Sequence, residues 1–490
     1  MKNMKKLVSV LLALVMALAL TVPAFAVNVD NKTTHTYDAY QIFAATSQNG
    51  DGGALGNITW GNGIDSATFL NALKADARCV VGETNIFADC TSAMAVAEAL
   101  SKNTSVAAAF ADIAVEHLTS TNTFVGSSGS VDLALGYWLL VDTSNPDTGD
   151  AKNAALLQVI NNGDLTIEKK YDAPTVEKTV NHNDANIGDT VTFTLTATMP
   201  SLLDGYETYK VVFHDTLSKG LAYAGNLKVT IDGNDKTSSF TVTPETPAAQ
   251  ANGTTVFTVS CDDVLELGAT VSSKIIVTYN AVLDDDAVIG TEGNPNEVYL
   301  EYSNDPNWNG TNPEPTGNTP EKEVKVFTWK IPAAKVDGSN NPLAGAQFEL
   351  YESDNTTKVA VVGSAGEYTV CTKNDSSDAH KHVTTLDTAA DGKLTVSGLE
   401  QGTYYLKETL APAGYNLLTA PVKVVIGANG AITVDDATTT STEVTIVNNV
   451  GTVLPETGGI GTTLFYVLGS ILVLGAGILL VTKKRMNSEK

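Results

Sequence analysis

The sequence predicts a multidomain, mainly β fold: an α+β N-terminal domain followed by two Ig-like β-sandwich domains. Three observations carry that prediction. With an apolar stretch set aside at each end, the 490 residues still exceed what one hydrophobic core serves, so two to four domains are expected. From residue 173 onward, β-branched residues alternate with polar ones between turn pairs such as Asp204-Gly205, Lys219-Gly220 and Asp232-Gly233, the pattern of short antiparallel strands. Before that point the alternation is interrupted by alanine-rich, helix-like runs.

At the N-terminus, Lys2, Lys5 and Lys6 precede an apolar run over 7–20, and Ala24-Phe25-Ala26 has the small-x-small form of a signal peptidase site. Residues 1–26 are therefore read as a signal peptide, with the mature chain beginning near Val27. The α+β domain spans 27–172, with strands over 37–45 and 133–141 and helices over 66–77 and 93–118. Its glycine-rich piece, 50–63, lacks phosphate-loop spacing and reads as a surface loop. The first sandwich spans 173–306. A segment at 307–323, with Pro313, Pro315, Pro320, Gly310 and Gly317, reads as a linker. The second sandwich covers 324–450. Behind it, the eighteen uncharged residues 464–481 make roughly 27 Å of helix, enough to span a bilayer. The tail 483–490 opens with Lys483, Lys484 and Arg485, which marks the cytoplasmic side and puts the bulk of the chain outside.

Charge and cysteine content narrow the function classes. The whole chain carries −25; losing both ends removes seven basic residues against one acidic, leaving the mature chain at −31. Such a surface repels phosphate backbones, so nucleic acid is excluded as a partner. Four cysteines make no disulfide framework, although Cys79 and Cys90 are near enough in sequence to pair outside the cell. Asp284-Asp285-Asp286 lacks calcium-loop spacing, and the six histidines, His380 and His382 among them, show no zinc spacing. No Ser/His/Asp constellation is visible, and no metal or cofactor is expected.

The chemistry appears when period-two alternation is applied to charged residues in the two sandwiches. Lys178 shares a face with Val176 and Val180, Asp215 with Val211 and Phe213, and Asn304 with Val298, Leu300 and Tyr302; Asn296 lies on the same face as Asn304. In the second sandwich Lys335 aligns with Trp329, Ile331 and Ala333, Glu408 with Tyr404 and Leu406, and Asn448 with Val444 and Ile446. Burying a lysine, a carboxyl and an amide twice over is costly unless they satisfy one another. Each set is either an ordinary hydrogen-bonded trio or a reactive one. In the reactive case desolvation leaves the amine neutral and the acid protonated; the amine attacks the Asn carbonyl, ammonia leaves, and an isopeptide bond remains. That is a single-turnover self-reaction, so the protein is not read as an enzyme.

Several stretches carry a resemblance. Leu454, Pro455, Glu456, Thr457 and Gly458, followed by an apolar span and a basic tail, resemble the LPxTG sorting signal of Gram-positive surface proteins, which implies sortase cleavage between Thr457 and Gly458 through a thioester. YYLKETLAPAGY from Tyr404 resembles the E-box of Gram-positive pilins, and KVDGSNNPLAGAQFELY from Lys335 the opening of a collagen-adhesin B-type domain. KTVNHNDANIGDTVTFTLTATMP from Lys178, HDTLSKGL from His214 and NEVYLEYSNDP ending at Pro306 resemble the middle domain of shaft pilins. The resemblance implies a major (backbone) pilin with Lys335–Asn448 and Lys178–Asn304 bonds, promoted by Glu408 and Asp215, Asn296 being the alternative amide. It further implies an acceptor lysine for the next subunit near the end of the first domain. DLTIEKKYDAP, from Asp164, lacks the family's Tyr-Pro-Lys-Asn core, and Lys170 falls at the expected place with Lys169 as alternative. Implied partners are pilin-type and housekeeping sortases, other copies of the chain, minor pilins and peptidoglycan. The alternative is a singly displayed wall-anchored adhesin that binds a host protein or glycan.

Overall fold

The structure is a computed structural model describing residues 26–49, 54–126, 129–160, 165–168, 172–203, 205–308, 310, 313–371, 381–437, 439–451 and 460–486. The signal segment, apart from Ala26, lies outside the described residues.

Two larger sheets, two short hairpins and three α-helices are described in the N-terminal unit. Strands Leu156–Ile160, Gly136–Asp142, Tyr37–Ala44 and Thr59–Trp60 lie side by side, with Thr123–Val125 also paired to Tyr37–Ala44; Ala26–Asn31 pairs in parallel with Leu165–Ile167 and antiparallel with Gly129–Asp132. Asp65 starts helix Ser66–Ala75 by accepting the N–H groups of Ala67 and Thr68. The expected long helix over 93–118 is instead two, Ala93–Lys102 and Ala107–Val115. The cause is Asn103, whose side-chain amide turns back to the Ala99 carbonyl at 2.9 Å and closes the first helix. Phe69 and Phe110 meet edge to face at 5.1 Å in the core beneath them. The glycine-rich piece is more than a loop, because Ala54–Gly56 forms a hairpin and Thr59–Trp60 joins the sheet. Glycine is required just beyond: a Cβ on Gly61 or Gly63 would stand 2.0 or 2.4 Å from the Gln41 backbone.

The middle unit is a sandwich. One sheet runs Thr175–Val180, Thr190–Thr198, Lys274–Leu283, Lys228–Ile231, Asn234–Asp235; the other runs Thr241–Thr243, Thr255–Cys261, Val211–Leu217, Asn294–Ser303, Thr316–Asn318. Strand Thr190–Thr198 buries every second residue, Val191 to Ala197, and Phe193, Phe213, Phe257 and Tyr279 fill the space between the sheets. At Asp232 and Gly233 both φ values are positive, so this pair turns the Lys228–Ile231 hairpin as its sequence suggests. The proline-bearing segment 307–323 does not hang free: Thr316–Asn318 and Lys322–Val326 both pair with Asn294–Ser303. Its polar composition suits an edge strand as well as a linker.

The third unit pairs sheets Val361–Ser364, Glu367–Val370, Lys393–Leu399, Trp329–Asp337, Val444–Asn448 and Leu386–Asp387, Gln347–Tyr351, Gly402–Leu410, Val422–Ile426, Ile432–Val434. Its first strand, Trp329–Asp337, lies parallel to its last, with Lys335 opposite Ile446 and Asp337 opposite Asn448. Beyond it, helix Ile460–Met486 contains a stretch, Phe465–Arg485, long and apolar enough to cross a membrane, with mean hydropathy 2.3.

The second and third units are docked. Asp184 accepts the indole N–H of Trp329 with one oxygen and the backbone N–H of Gln401 with the other, Asn186 accepts from Glu400 N at 3.0 Å, and Ile187 N donates to Gly398 O at 3.0 Å. Ile187 also lies against Gly398, where a Cβ would come within 2.8 Å of its methyl. Replacing Asp184 by Ala strands a buried indole N–H, a loss of about 1–3 kcal/mol. Limited proteolysis should then cut Asp184→Ala near residues 320–328 at protease levels that leave the wild-type junction whole; equal cleavage of both would mean the clamp contributes nothing.

Candidate functional site

Strand alternation delivers Lys178 and Asp215 into the middle core from opposite sheets. Lys178 Nζ donates to Asp215 Oδ2 at 2.6 Å and to Asn296 Oδ1 at 2.7 Å, with a third bond to the Glu297 carbonyl at 3.1 Å. The lysine and aspartate side chains have no solvent exposure, and the Lys178 ammonium position lies 5.5 Å from the Phe193 ring centre. Burial pushes the Lys178 amine down, against the pull of Asp215, and pushes the Asp215 carboxyl up, against the pull of Lys178 and Tyr279. Both shifts favour the neutral pair, which supplies a nucleophile and an acid in contact.

The amide at this site is Asn296, not Asn304. Both face inward as alternation requires, but they are eight residues apart, roughly 27 Å along an extended chain, and a lysine side chain reaches only one of them. Asn304 lies beyond the end of strand Asn294–Ser303, where its backbone bonds Lys152 N and Pro315 O and its Oδ1 is buried without a hydrogen bond among the described residues. It belongs to the contact between the first and second units, beside the Lys152–Asp305 ion pair at 2.9 Å.

The third unit assembles all three expected residues. Lys335, Glu408 and Asn448 are 1 %, 3 % and 1 % exposed. Glu408 Oε1 accepts Asn448 Nδ2 at 2.8 Å and stands 3.9 Å from Lys335 Nζ, while Oε2 accepts Leu418 N at 2.8 Å. Lys335 Nζ donates to Ile446 O at 3.0 Å, on the strand that carries Asn448. Asn448 Oδ1 is buried and bonds nothing among the described residues. Burial pushes the Lys335 amine down as well, with Glu408 opposing.

Sequence alternation did not single out Tyr279. Its hydroxyl donates to Asp215 Oδ1 at 2.7 Å and accepts from Asn296 Nδ2 at 2.7 Å, tying the acid to the amide. The signal was available: a tyrosine at an inward position of a central strand must bury its hydroxyl against a polar partner. Leu454 to Gly458, Lys169 and Lys170 lie outside the described residues. Cys79 and Cys90 are both buried with free thiols.

Known proteins resemble this chain in its domains and fold. Residues 187–306 match the Gram-positive pilin backbone subunit 2, Cna-B-like domain, residues 330–440 a prealbumin-like fold domain, and residues 446–488 the LPXTG cell wall anchor motif. The trypsin-resistant surface T6 protein of Streptococcus pyogenes serotype M6 is 26% identical over 366 residues, 62% of this chain and 66% of that one. Fimbrial subunit type 1 of Actinomyces viscosus is 28% identical over 244 residues, 44% of each chain. The chain thus spans just under two thirds, or less, of these curated relatives. Among solved structures, the T6 backbone pilin of serotype M6 Streptococcus pyogenes, described as modular and three-domain, has the same fold with a TM-score of 0.51 at 18% identity, covering 89% of this chain and 100% of that one.

Intact-mass measurement separates the two candidate amides. Asn296→Ala should weigh one ammonia more than its own composition predicts for a doubly cross-linked chain, whereas Asn304→Ala should lose both ammonias. The reverse pattern would return the middle bond to Asn304.

Proposed function

We propose that this chain, which carries the domains of Gram-positive backbone pilins and their cell-wall anchor, is the structural shaft subunit of a covalent, sortase-assembled surface pilus. The observation that carries the reading is the recurrence of one reactive trio, lysine, carboxyl and asparagine, in the dry interior of two successive sandwiches. In each, the lysine comes from the first strand and the asparagine from a strand far along the chain: Thr175–Val180 with Asn294–Ser303, and Trp329–Asp337 with the last strand, Val444–Asn448. A bond between them ties the ends of the domain together, which suits a subunit that carries tension along its length.

The residues do the work in a fixed order. The neutral Lys178 amine adds to the Asn296 side-chain carbonyl; Asp215, protonated by its dry surroundings, holds the polar groups in line and passes protons. Lys335, Glu408 and Asn448 act likewise in the third unit. Each event happens once, releases one ammonia and leaves the chain changed, so the protein is substrate and product but not a turnover enzyme.

Assembly is assigned to the C-terminal sorting signal and to a lysine near the end of the first unit. A sortase thiolate attacks the Thr457 carbonyl, Gly458 and the membrane helix depart, and an amine takes over the acyl group. In the growing shaft that amine is Lys170 of another copy, and at the base it belongs to peptidoglycan. Boiling in detergent leaves such bonds intact. A denaturing gel of wall extract from cells that express a pilin-type sortase should therefore give a high-mass ladder reactive to this chain, reduced to monomer by Lys170→Ala. A ladder that persists in that variant moves the acceptor to Lys169; a single monomer band in the wild type would replace the shaft by an adhesin displayed singly.

A further inference from the structure

We propose that Tyr279 is a catalytic proton relay of the middle unit's cross-linking reaction, passing a proton from Asp215 to the departing nitrogen of Asn296. This rests on the reading that Lys178 and Asn296 join. It answers a difficulty that reading leaves open: an amide nitrogen is a poor leaving group until it is protonated, and here the acid does not bond it. Asn296 Nδ2 has one hydrogen bond among the described residues, to the Tyr279 hydroxyl at 2.7 Å, and that hydroxyl in turn contacts Asp215 Oδ1 at 2.7 Å. In the third unit no such intermediary stands between the two, because Glu408 Oε1 bonds Asn448 Nδ2 directly at 2.8 Å.

Before reaction, the amide lone pair is delocalised into the carbonyl, so Nδ2 can only donate, and Tyr279 accepts from it. When the Lys178 lone pair forms the Nζ–Cγ bond, the carbonyl carbon becomes tetrahedral and Nδ2 regains a localised lone pair. With the Asp215 proton carried on Oδ1, both contacts of the hydroxyl then run in reverse. Tyr279 gives its proton to Nδ2 and takes one from Asp215 Oδ1; the Cγ–Nδ2 bond breaks and ammonia departs. Asp215 Oδ2, 2.6 Å from Nζ, collects the proton that the new amide nitrogen sheds. Asp215 ends protonated again, its proton now on Oδ2, and amine plus amide have become secondary amide plus ammonia with no other reactant. The ring that carries the hydroxyl is held on several sides, by Phe193 at 5.6 Å, Phe257 at 5.2 Å and Tyr223 at 5.8 Å between centres, so the bridge has little freedom to swing away. Tyr279 is fully buried, and burial pushes its hydroxyl well above the usual range, which keeps it protonated and ready to donate.

The test follows the two cross-links separately in the full mature chain, made by cell-free synthesis and sampled over time by peptide-mapped mass spectrometry. In Tyr279→Phe, the Lys178–Asn296 bond should form at least about a hundredfold more slowly, the scale of a lost proton-transfer group. The Lys335–Asn448 bond should form at the wild-type rate and report that the variant chain folds. A Lys178–Asn296 bond formed in Tyr279→Phe at the wild-type rate would overturn the relay while leaving the cross-link in place; absence of that bond from the wild type itself would instead remove the underlying reading. A ring-fluorinated tyrosine at the same position, which keeps the hydroxyl and makes it more acidic, should change the rate of the middle bond alone. If that substitution leaves the rate unmoved, Tyr279 only holds the site together and the proposal fails.

Discussion

Everything in the two sandwiches is arranged around an amine that has been taken out of water. Removing a lysine ammonium from solvent costs several kcal/mol, and a single carboxylate at 2.6 Å seldom repays it in an apolar interior. The cheaper state is a neutral amine beside a protonated acid, and the directions of the Lys178 and Asp215 shifts agree with it. That state is also the reactive one. The aromatic packing that makes the site dry therefore does two things at once, fixing the geometry and generating the nucleophile, so the fold's core and its chemistry cannot be separated.

The consequence is mechanical. A bond between Lys178 and Asn296 closes a loop of 118 residues, which by chain entropy alone disfavours the unfolded state by about 5 kcal/mol. In the proposed shaft such a bond would carry force from Thr175–Val180 to Asn294–Ser303 covalently and spare the hydrogen bonds between. The junctions serve the same end without covalent help. Asp184, Asn186 and Ile187 clamp the second unit to the third, while Tyr302 donates to the Asp150 carbonyl at 2.8 Å and Lys152 pairs with Asp305 to hold the first unit to the second.

How far the sequence could be read depended on whether the deciding contact was local. Period-two alternation placed Lys178, Asp215, Lys335, Glu408 and Asn448 on inward faces, because a strand's side chains must point to one side or the other. It could not choose between Asn296 and Asn304, which share a face; the choice lies in the height at which one sheet crosses the other, a property of the whole sandwich. Tyr279 escaped for a related reason, since its hydroxyl matters only through residues 64 positions before it and 17 after it. The helix break at Asn103 turned on one side chain folding back on its own turn, and the strands within 307–323 arise because Asn294–Ser303 offers them an edge.

The central claim is that the lysine and asparagine at the two ends of each sandwich are covalently joined, and stretching single mature molecules from end to end tests it directly. The cross-linked chain should lengthen only by the unfolding of its first unit and of the segment between the two cross-links, which holds Thr316–Asn318 and Lys322–Val326. The stretch between Lys178 and Asn296, 118 positions apart and roughly 400 Å when extended, should stay locked at any force the backbone survives, as should the corresponding stretch between Lys335 and Asn448. Extension steps of that size from the wild-type chain would contradict the account, because they require the end strands to be free to part.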